Sequence, residues 1–375
     1  MGFFLPIPPV AGGAVEKSWH RLTKEFAQKG HEVTLISRRW KDWPHDETIN
    51  GVRHLRLSGY NHKKWLWLNL LCDLIWSIRV HRQLPDADIV ASNTISLPCW
   101  LSALRPSAGQ VVAMPGRMPK GQFRFYRKPA RILVPSKPVQ DAIKSERPSF
   151  ASLTRVVGYP IAWDKLSNQP TQPHEKVTIG FVGRLHKEKG VELLVEALRV
   201  LAKNKLPPWS AVICGPADVA NGGSGESFLE LLRKDAPPQV EFHDPIYEED
   251  ILHQLYQSFD LFCYPSLAAQ GETFGVSVAE AMAAGAVPIV SSLPCFLDFV
   301  IPDKTGLIFD ATAPDAAQQL AAQLATLIED HDRRAIMAAA AQQAVKCYDY
   351  SQYSDRLLED FTQLTANPKS STSQL

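Results

Sequence analysis

Two acids eight residues apart, Glu272 and Glu280, bracket the stretch of this chain best suited to chemistry. Gly271-Glu272-Thr273-Phe274-Gly275 reads as a turn, and Val276 onward reads as a helix. After Gly285 the apolar run 286–290 reads as a buried parallel strand. One acid therefore sits in a loop at a helix N-terminus and the other lies further into the helix. A helix start leaves backbone N–H groups unpaired and carries partial positive charge, which suits an anionic ligand. Upstream, Gly183-Arg184-Leu185-His186-Lys187-Glu188-Lys189-Gly190 joins a strand at 177–183 to a helix at 191–201. Arg184 and Lys189 in such a loop make two fixed cations beside a helix start, a clamp for a diphosphate. Either segment alone also reads as an ordinary solvated turn. Their occurrence in the same half of the chain points to one site.

The elements that would position these groups are alternating strands and helices. Residues 3–7 read as a first strand, and Pro8 to Gly13 as a breaker-rich loop. Residues 14–29 read as a helix, with Val15, Trp19, Leu22 and Phe26 on one face, and 32–37 as the next strand. Gly12 and Gly13, followed by Glu16, thus form a glycine loop at a helix start, which can cradle phosphates, although the chain lacks GxGxxG. Asn50-Gly51 predicts a hairpin turn between 48 and 57. Strands at 88–93 and 110–114 deliver Asn93 and then Pro115-Gly116-Arg117-Met118-Pro119-Lys120 at their carboxyl ends. Loops there line the ligand crevice of an open α/β sheet, so Asn93, Arg117 and Lys120 are candidate contacts. A strand at 132–135 follows, with Ser136 as a helix cap.

The composition shifts to Ser, Asn, Gln, Pro and Thr over 167–175, which reads as a linker. A second α/β unit follows, with a strand at 210–214, a glycine-rich loop at 221–225, a helix from Glu226, and strands near Val240 and Leu261. Long helices cover 316–344 and 351–365. The expected fold class is α/β, with an N-terminal domain at 1–168 and a C-terminal domain at 176–348. A final helix at 349–365 and a disordered tail at 366–375 complete the chain. A length of 375 residues fits two cores rather than one.

A net charge of +1 argues against a general nucleic-acid binder. The six cysteines have no CxxC spacing, which gives no zinc or redox motif and fits a reducing, cytoplasmic setting. No secretory signal is legible and no run of 18 apolar residues occurs. Residues 63–79, with Trp65, Trp67 and Trp76 and basic ends, read as a core helix on the first sheet, interrupted by Asn69 and Asp73. The second reading is an interfacial helix making peripheral contact with the inner membrane face.

Taken together, these segments resemble the retaining glycosyltransferases of family four, which have the GT-B fold. The resemblance rests on the Gly12-Gly13 loop with Glu16, the Gly183 to Gly190 segment, Pro265-Ser266, and Glu272-x7-Glu280. Ala281-Met282-Ala283-Ala284-Gly285 and Asp303-Lys304-Thr305-Gly306-Leu307 extend it. It implies two Rossmann-like doubly wound domains facing across a cleft. It implies a nucleotide-diphosphate sugar as donor, a hydroxyl acceptor and no metal cofactor. Arg184 and Lys189 match the pair that holds the donor diphosphate, next to Gly183. Glu280 matches the acid that accepts from the ribose hydroxyls. Glu272 matches the acid that contacts the donor sugar, with the Thr273-Phe274-Gly275 backbone beside it. Gly12 and Gly13 match the loop that faces the phosphates. The family's usual mechanism is front-face, with the leaving phosphate taking the acceptor proton. Members often carry a histidine after the strand that here ends at Met114, but this chain has none between His81 and His174. That leaves the acceptor side to Glu16, Asn93, Arg117 or Lys120.

Asp86-Ala87-Asp88 and Asp330-His331-Asp332 are formally DxD, but neither follows a strand, as a metal-binding DxD should. A nucleotide-sugar 2-epimerase of the same architecture and a non-catalytic nucleotide-sugar binder are the competing functions. The acceptor classes left open are a polysaccharide, a glycolipid and a small metabolite.

Overall fold

A computed structural model describes residues 2–10, 13–168 and 176–366. Gly12, most of the expected linker and the tail beyond Ala366 lie outside the described residues. The chain forms two compact units, Met1–Pro160 with Tyr350–Leu375, and Ile161–Asp349. The first boundary corrects the expected 1–168. Ile161 hydrogen-bonds to Tyr348 and bridges to Asp349, so residues 161–168 belong to the second unit.

The first unit runs α1 (Ala14–Gln28), β1 (Val33–Arg38), β2 (Asp46–Ile49), β3 (Val52–Leu57), α2 (Leu66–Gln83), β4 (Ile89–Ser92) and α3 (Leu97–Leu104). It continues with β5 (Gln110–Ala113), β6 (Arg131–Val134), α4 (Lys137–Glu146) and β7 (Thr154–Val156). Asn50 and Gly51 both have positive φ, 52° and 80°, which closes the expected hairpin between β2 and β3.

The expected strand at 3–7 does not form. Pro6 and Pro8 have no N–H to give a ladder, and the segment is held by single bonds, such as Tyr60 N–H to Phe3 O and Arg38 Nη1 to Phe4 O. Its side chains still go inward: Phe3 and Ile7 are buried, Ile7 among Leu35 of β1 and Leu133 of β6. The strands therefore lie in two sheets, β1-β3-β2 and β4-β5-β6-β7. A slot of about 430 Å³ is lined by residues of both β1 and β4. Ser136 begins α4, but its hydroxyl makes no capping bond.

The second unit runs α5 (Trp163–Ser167), β8 (Val177–Val182), α6 (Val191–Leu201), β9 (Trp209–Cys214), α7 (Glu226–Asp235), β10 (Val240–His243) and α8 (Glu249–Gln257). Then come β11 (Leu261–Tyr264), α9 (Val276–Ala283), β12 (Val287–Ser291), β13 (Leu307–Phe309), α10 (Ala316–Glu329) and α11 (His331–Val345). The expected helical stretch 316–344 breaks at Asp330, whose carboxylate accepts from Arg333 N–H and caps α11. The six strands are parallel in the order β10-β9-β8-β11-β12-β13. This is a doubly wound sheet whose strand order reverses between β8 and β11. Every residue of β11 and β12 is buried, as expected for a parallel sheet covered on both faces.

The last helix, α12 (Tyr350–Ala366), returns to the first unit and packs on α1. Lys29 reaches Asp355 at 2.5 Å, and Asp360 pairs with both Arg131 and Arg155.

Candidate functional site

In a doubly wound sheet the ligand crevice opens where the strand order reverses, beyond the strand carboxyl ends. Here those ends belong to β8 and β11. The loop after β8 is 183–190, and the loop after β11 runs from Pro265 to Gly275. Both of the sequence's charged motifs therefore arrive at the same place.

Backbone contacts fix the two loops against each other. Gly190 has φ 69°, and a Cβ there would lie 2.0 Å from Pro265 O, so no side chain fits. Leu267 N–H donates to Glu188 O at 2.8 Å. A Cβ on Gly215, after β9, would lie 1.8 Å from Gly183 O. The loop at 221–225 closes from the other side: Ser224 N–H donates to Leu185 O, and Gly222 O accepts from Arg184 Nη1 at 2.9 Å.

Lys189 Nζ donates to Glu272 Oε2 at 2.7 Å, with the two side chains only 9% and 11% exposed. Burial alone would lower the lysine pKa. Tyr264 and Glu272 reverse this and push it up to about 12. The Tyr264 hydroxyl is itself raised to about 12, first by burial, so it is neutral near pH 7 and Glu272 is the group that holds the ammonium charged. Replacing such a pair with apolar side chains often leaves a fold equally stable or more so. The pair lies where the strand order reverses.

Arg184, 43% exposed, pairs with Glu188 at 2.7 Å. It stands at the start of the loop that ends in the short 187–189 turn carrying Lys189, and its side chain remains open to solvent. Glu280 lies on α9, half-buried, and the buried Tyr256 hydroxyl of α8 hydrogen-bonds to it. Burial and the nearby carboxylate keep that phenol well above its ordinary pKa, so it is a fixed donor that orients Glu280. Gly275 starts α9 with φ 94°, and a Cβ there would meet the Phe296 ring at 2.5 Å. The Phe274 side chain is 1% exposed and packs on Phe299 and Tyr348, so only its backbone can face a ligand. Thr273 is half-buried beside it.

The structure thus places Gly183, Arg184, Lys189, Glu272, Thr273 and Gly275 in the two loops beyond the carboxyl ends of the central strands β8 and β11, with Glu280 further along α9. Tyr256, Tyr264 and Glu188 were missed from the sequence. Tyr264 ends β11 just before Pro265-Ser266, which was a usable local signal; Tyr256 had none.

A second cluster lies in the first unit. Glu16 on α1 has a raised pKa from burial, which the nearby Arg117 opposes. Tyr159, after β7, is pushed up to about 12 by burial and by Glu16. A Cβ on Gly116 would lie 2.5 Å from the Tyr159 hydroxyl, so Pro115-Gly116-Arg117 packs directly on this tyrosine. Gly13, with φ 132°, sits against the Glu16 carboxylate, 2.6 Å from where its Cβ would be. Asn93 donates from Nδ2 to Met114 O at 2.7 Å, while its Oδ1 is buried without a partner and borders a cavity of about 30 Å³. Lys120 is exposed and forms no hydrogen bond or ion pair with Glu16, Arg117 or Tyr159. Among the described residues, no group of three or more His, Cys, Asp or Glu side chains is placed to hold a metal. Asp86 is paired with Arg105.

Comparison with known proteins fits this geometry. Residues 164–344 match the family model for glycosyl transferases group 1. The D-inositol 3-phosphate glycosyltransferase of Corynebacterium urealyticum is 30% identical over 201 residues, covering 52% of this chain and 45% of that protein. The chain thus spans under half the length of this curated relative. Sucrose-phosphate synthase from Thermosynechococcus elongatus superposes with a TM-score of 0.74 at 20% identity, over 95% of this chain and 94% of that one. Anabaena HepE, solved in complex with UDP and glucose, gives 0.69 at 18% identity, over 94% and 96%. These structural likenesses show the fold, that of GT-B glycosyltransferases.

Proposed function

We propose that this chain, whose residues 164–344 match the model for glycosyl transferases group 1, transfers a sugar from a nucleoside-diphosphate sugar to an acceptor hydroxyl, with retention and without a metal. The observation that carries this reading is the buried, charged Lys189–Glu272 pair beside Arg184 at the reversal of strand order.

The chemistry follows from the groups. Breaking the glycosyl–phosphate bond builds positive charge on the sugar and negative charge on the departing diphosphate. Lys189 has three N–H donors, and Glu272 and Tyr264 engage two of them. The third, with the Arg184 fork and the backbone N–H groups that start α6 and α9, supplies fixed positive potential for the diphosphate. Glu272 faces the sugar and steadies the developing cation. Glu280, held by Tyr256, accepts from the ribose hydroxyls. In a front-face reaction the leaving phosphate oxygen takes the acceptor proton, so no protein base is needed. Glu16, Arg117, Tyr159 and Asn93 are the groups available to an acceptor, with Pro115-Gly116-Arg117 following the strand after which the family often has a histidine. Acceptors of three classes fit: a polysaccharide, a glycolipid or a small metabolite. The exposed apolar face of α2 favours one presented at a lipid surface, with the protein peripheral at the inner membrane face.

A panel of nucleotide sugars, beginning with UDP-sugars in view of the HepE complex, tests the reading by thermal shift and by mass spectrometry of products. A true donor at about 100 times its Kd stabilises the fold by roughly 2.7 kcal/mol. Stabilisation with transfer supports the proposal. An epimerised nucleotide sugar, or stabilisation with neither hydrolysis nor transfer, refutes it.

A further inference from the structure

The α2 helix is amphipathic in the unexpected sense. Its inner face carries Asn69, Asp73 and Ser77 with Cys72, Trp76 and Val80. Two of the buried polar groups are satisfied there. Asn69 exchanges two hydrogen bonds with the Lys63 backbone, both 2.8 Å, and Asp73 accepts from Ser96 N–H at 2.7 Å. The outer face is apolar: Trp65 is 60% exposed, Trp67 62%, and Leu66, Leu70, Leu71, Leu74 and Ile78 are 40–64% exposed. Positions 67, 70, 71, 74 and 78 follow the helical period, so they form one stripe. A stripe of this kind marks an interaction surface rather than scattered exposed residues.

The charges around the stripe identify what covers it. Asp73 is the one acid between Leu66 and Gln83, and it is buried. Lys63 and Lys64 are exposed before the first turn, and Lys64 lies over the Trp65 ring at 5.9 Å. Arg82 is exposed at the other end. Tryptophans beside lysines suit the boundary between lipid headgroups and acyl chains, where an indole has an apolar body and a polar tip. Pairing α2 with a second copy of itself would set like charges together in either orientation, since both helix ends are basic. No helix among the described residues is long and apolar enough to cross a membrane, so this helix would lie on one.

We propose that the outer face of α2 docks the protein in-plane on a bilayer containing anionic lipid, with Trp65, Trp67, Leu70 and Leu74 entering the interface and Lys63 and Lys64 meeting the headgroups. This surface shares no residue with the donor site, and the proposal stands independently of the glycosyl-transfer reading.

Co-sedimentation of the full chain with vesicles of phosphatidylcholine alone, and of phosphatidylcholine mixed with phosphatidylglycerol, tests it. The expected result is partition onto the mixed vesicles, weakened by added salt. Trp67→Ser/Leu70→Ser/Leu74→Ser and Lys63→Glu/Lys64→Glu should each weaken it by about tenfold or more. Both variants should keep the parent melting temperature and its shift by nucleotide sugars. Should the triple variant fail to fold, the exposed lysine pair carries the test. Protein left in the supernatant with both vesicle types overturns the proposal, as does binding that neither variant weakens. So does a dimer in lipid-free ultracentrifugation that the apolar substitutions abolish, since that would give the face to a second copy.

Discussion

Replacing Lys189 with methionine removes the ammonium but keeps much of the side-chain volume. It strands Glu272, 11% exposed, without its 2.7 Å partner. Breaking a buried pair from one side costs roughly 3–5 kcal/mol. The exposure of about a tenth on both side chains places this case near the lower figure. The second unit, Ile161–Asp349, has 189 residues. At that size about 3 kcal/mol lowers its Tm by roughly 6–12 °C. The double variant Lys189→Met/Glu272→Leu removes both charges and should recover to within about 1 kcal/mol of the parent, since an apolar pair of similar volume packs as well. Its sugar transfer should remain down by roughly 10²–10³, because the diphosphate has lost a preorganised donor. Differential scanning calorimetry read beside a labelled-donor transfer assay separates the two effects. A double variant that regains both stability and turnover would show the pair to be structural only, and would refute the reasoning.

Other outcomes follow from the same geometry. Arg184→Ala should cost under about 1 kcal/mol of stability, its ion pair being largely exposed, yet reduce turnover by roughly 10²–10³; stopped-time transfer assays and melting curves check both. Tyr256→Phe deletes the hydrogen bond to Glu280 and should weaken nucleotide-sugar binding by roughly fivefold, at about 1 kcal/mol for one lost bond; calorimetric titration reads it. Lys189 has its pKa raised from 10.5 to about 12 on folding. Its pairing therefore stabilises fully below pH 10.5 and is lost as pH rises through about 12, an alkaline limb that Lys189→Met should lack in pH-dependent unfolding. Half-buried His20 and buried His54 have pKa values lowered to about 4, first by desolvation. They favour the fold above pH 6.5 and lose that contribution as pH falls toward 4. The acid limb of the first unit's unfolding should shrink in His54→Phe.

The two charged loops of the candidate site were legible in the sequence because each is local: strand, glycine-bounded loop, helix, with the charges at fixed offsets. The strand order that brings 183–190 and 265–275 together is a tertiary fact, but it follows from repeated βα units. Tyr256 was not legible, since it reaches Glu280 from another helix and nothing near it in sequence marks it. Residues 3–7 looked like a strand because they are apolar; Pro6 and Pro8 denied them a ladder while leaving Phe3 and Ile7 in the core. In α2, Asn69 and Asp73 read from the sequence as interruptions of a core helix. They are buried because backbone partners satisfy them, and that turns the apolar side outward.

Calorimetric titration of the intact protein with nucleoside-diphosphate sugars, repeated on Lys189→Met/Glu272→Leu, tests the donor site most directly. The expected result is one saturable site for at least one nucleotide sugar, weakened by roughly 100-fold in the double variant while its melting temperature stays near the parent's. Equal affinity in the stable double variant, or no nucleotide sugar bound by the parent, would contradict it.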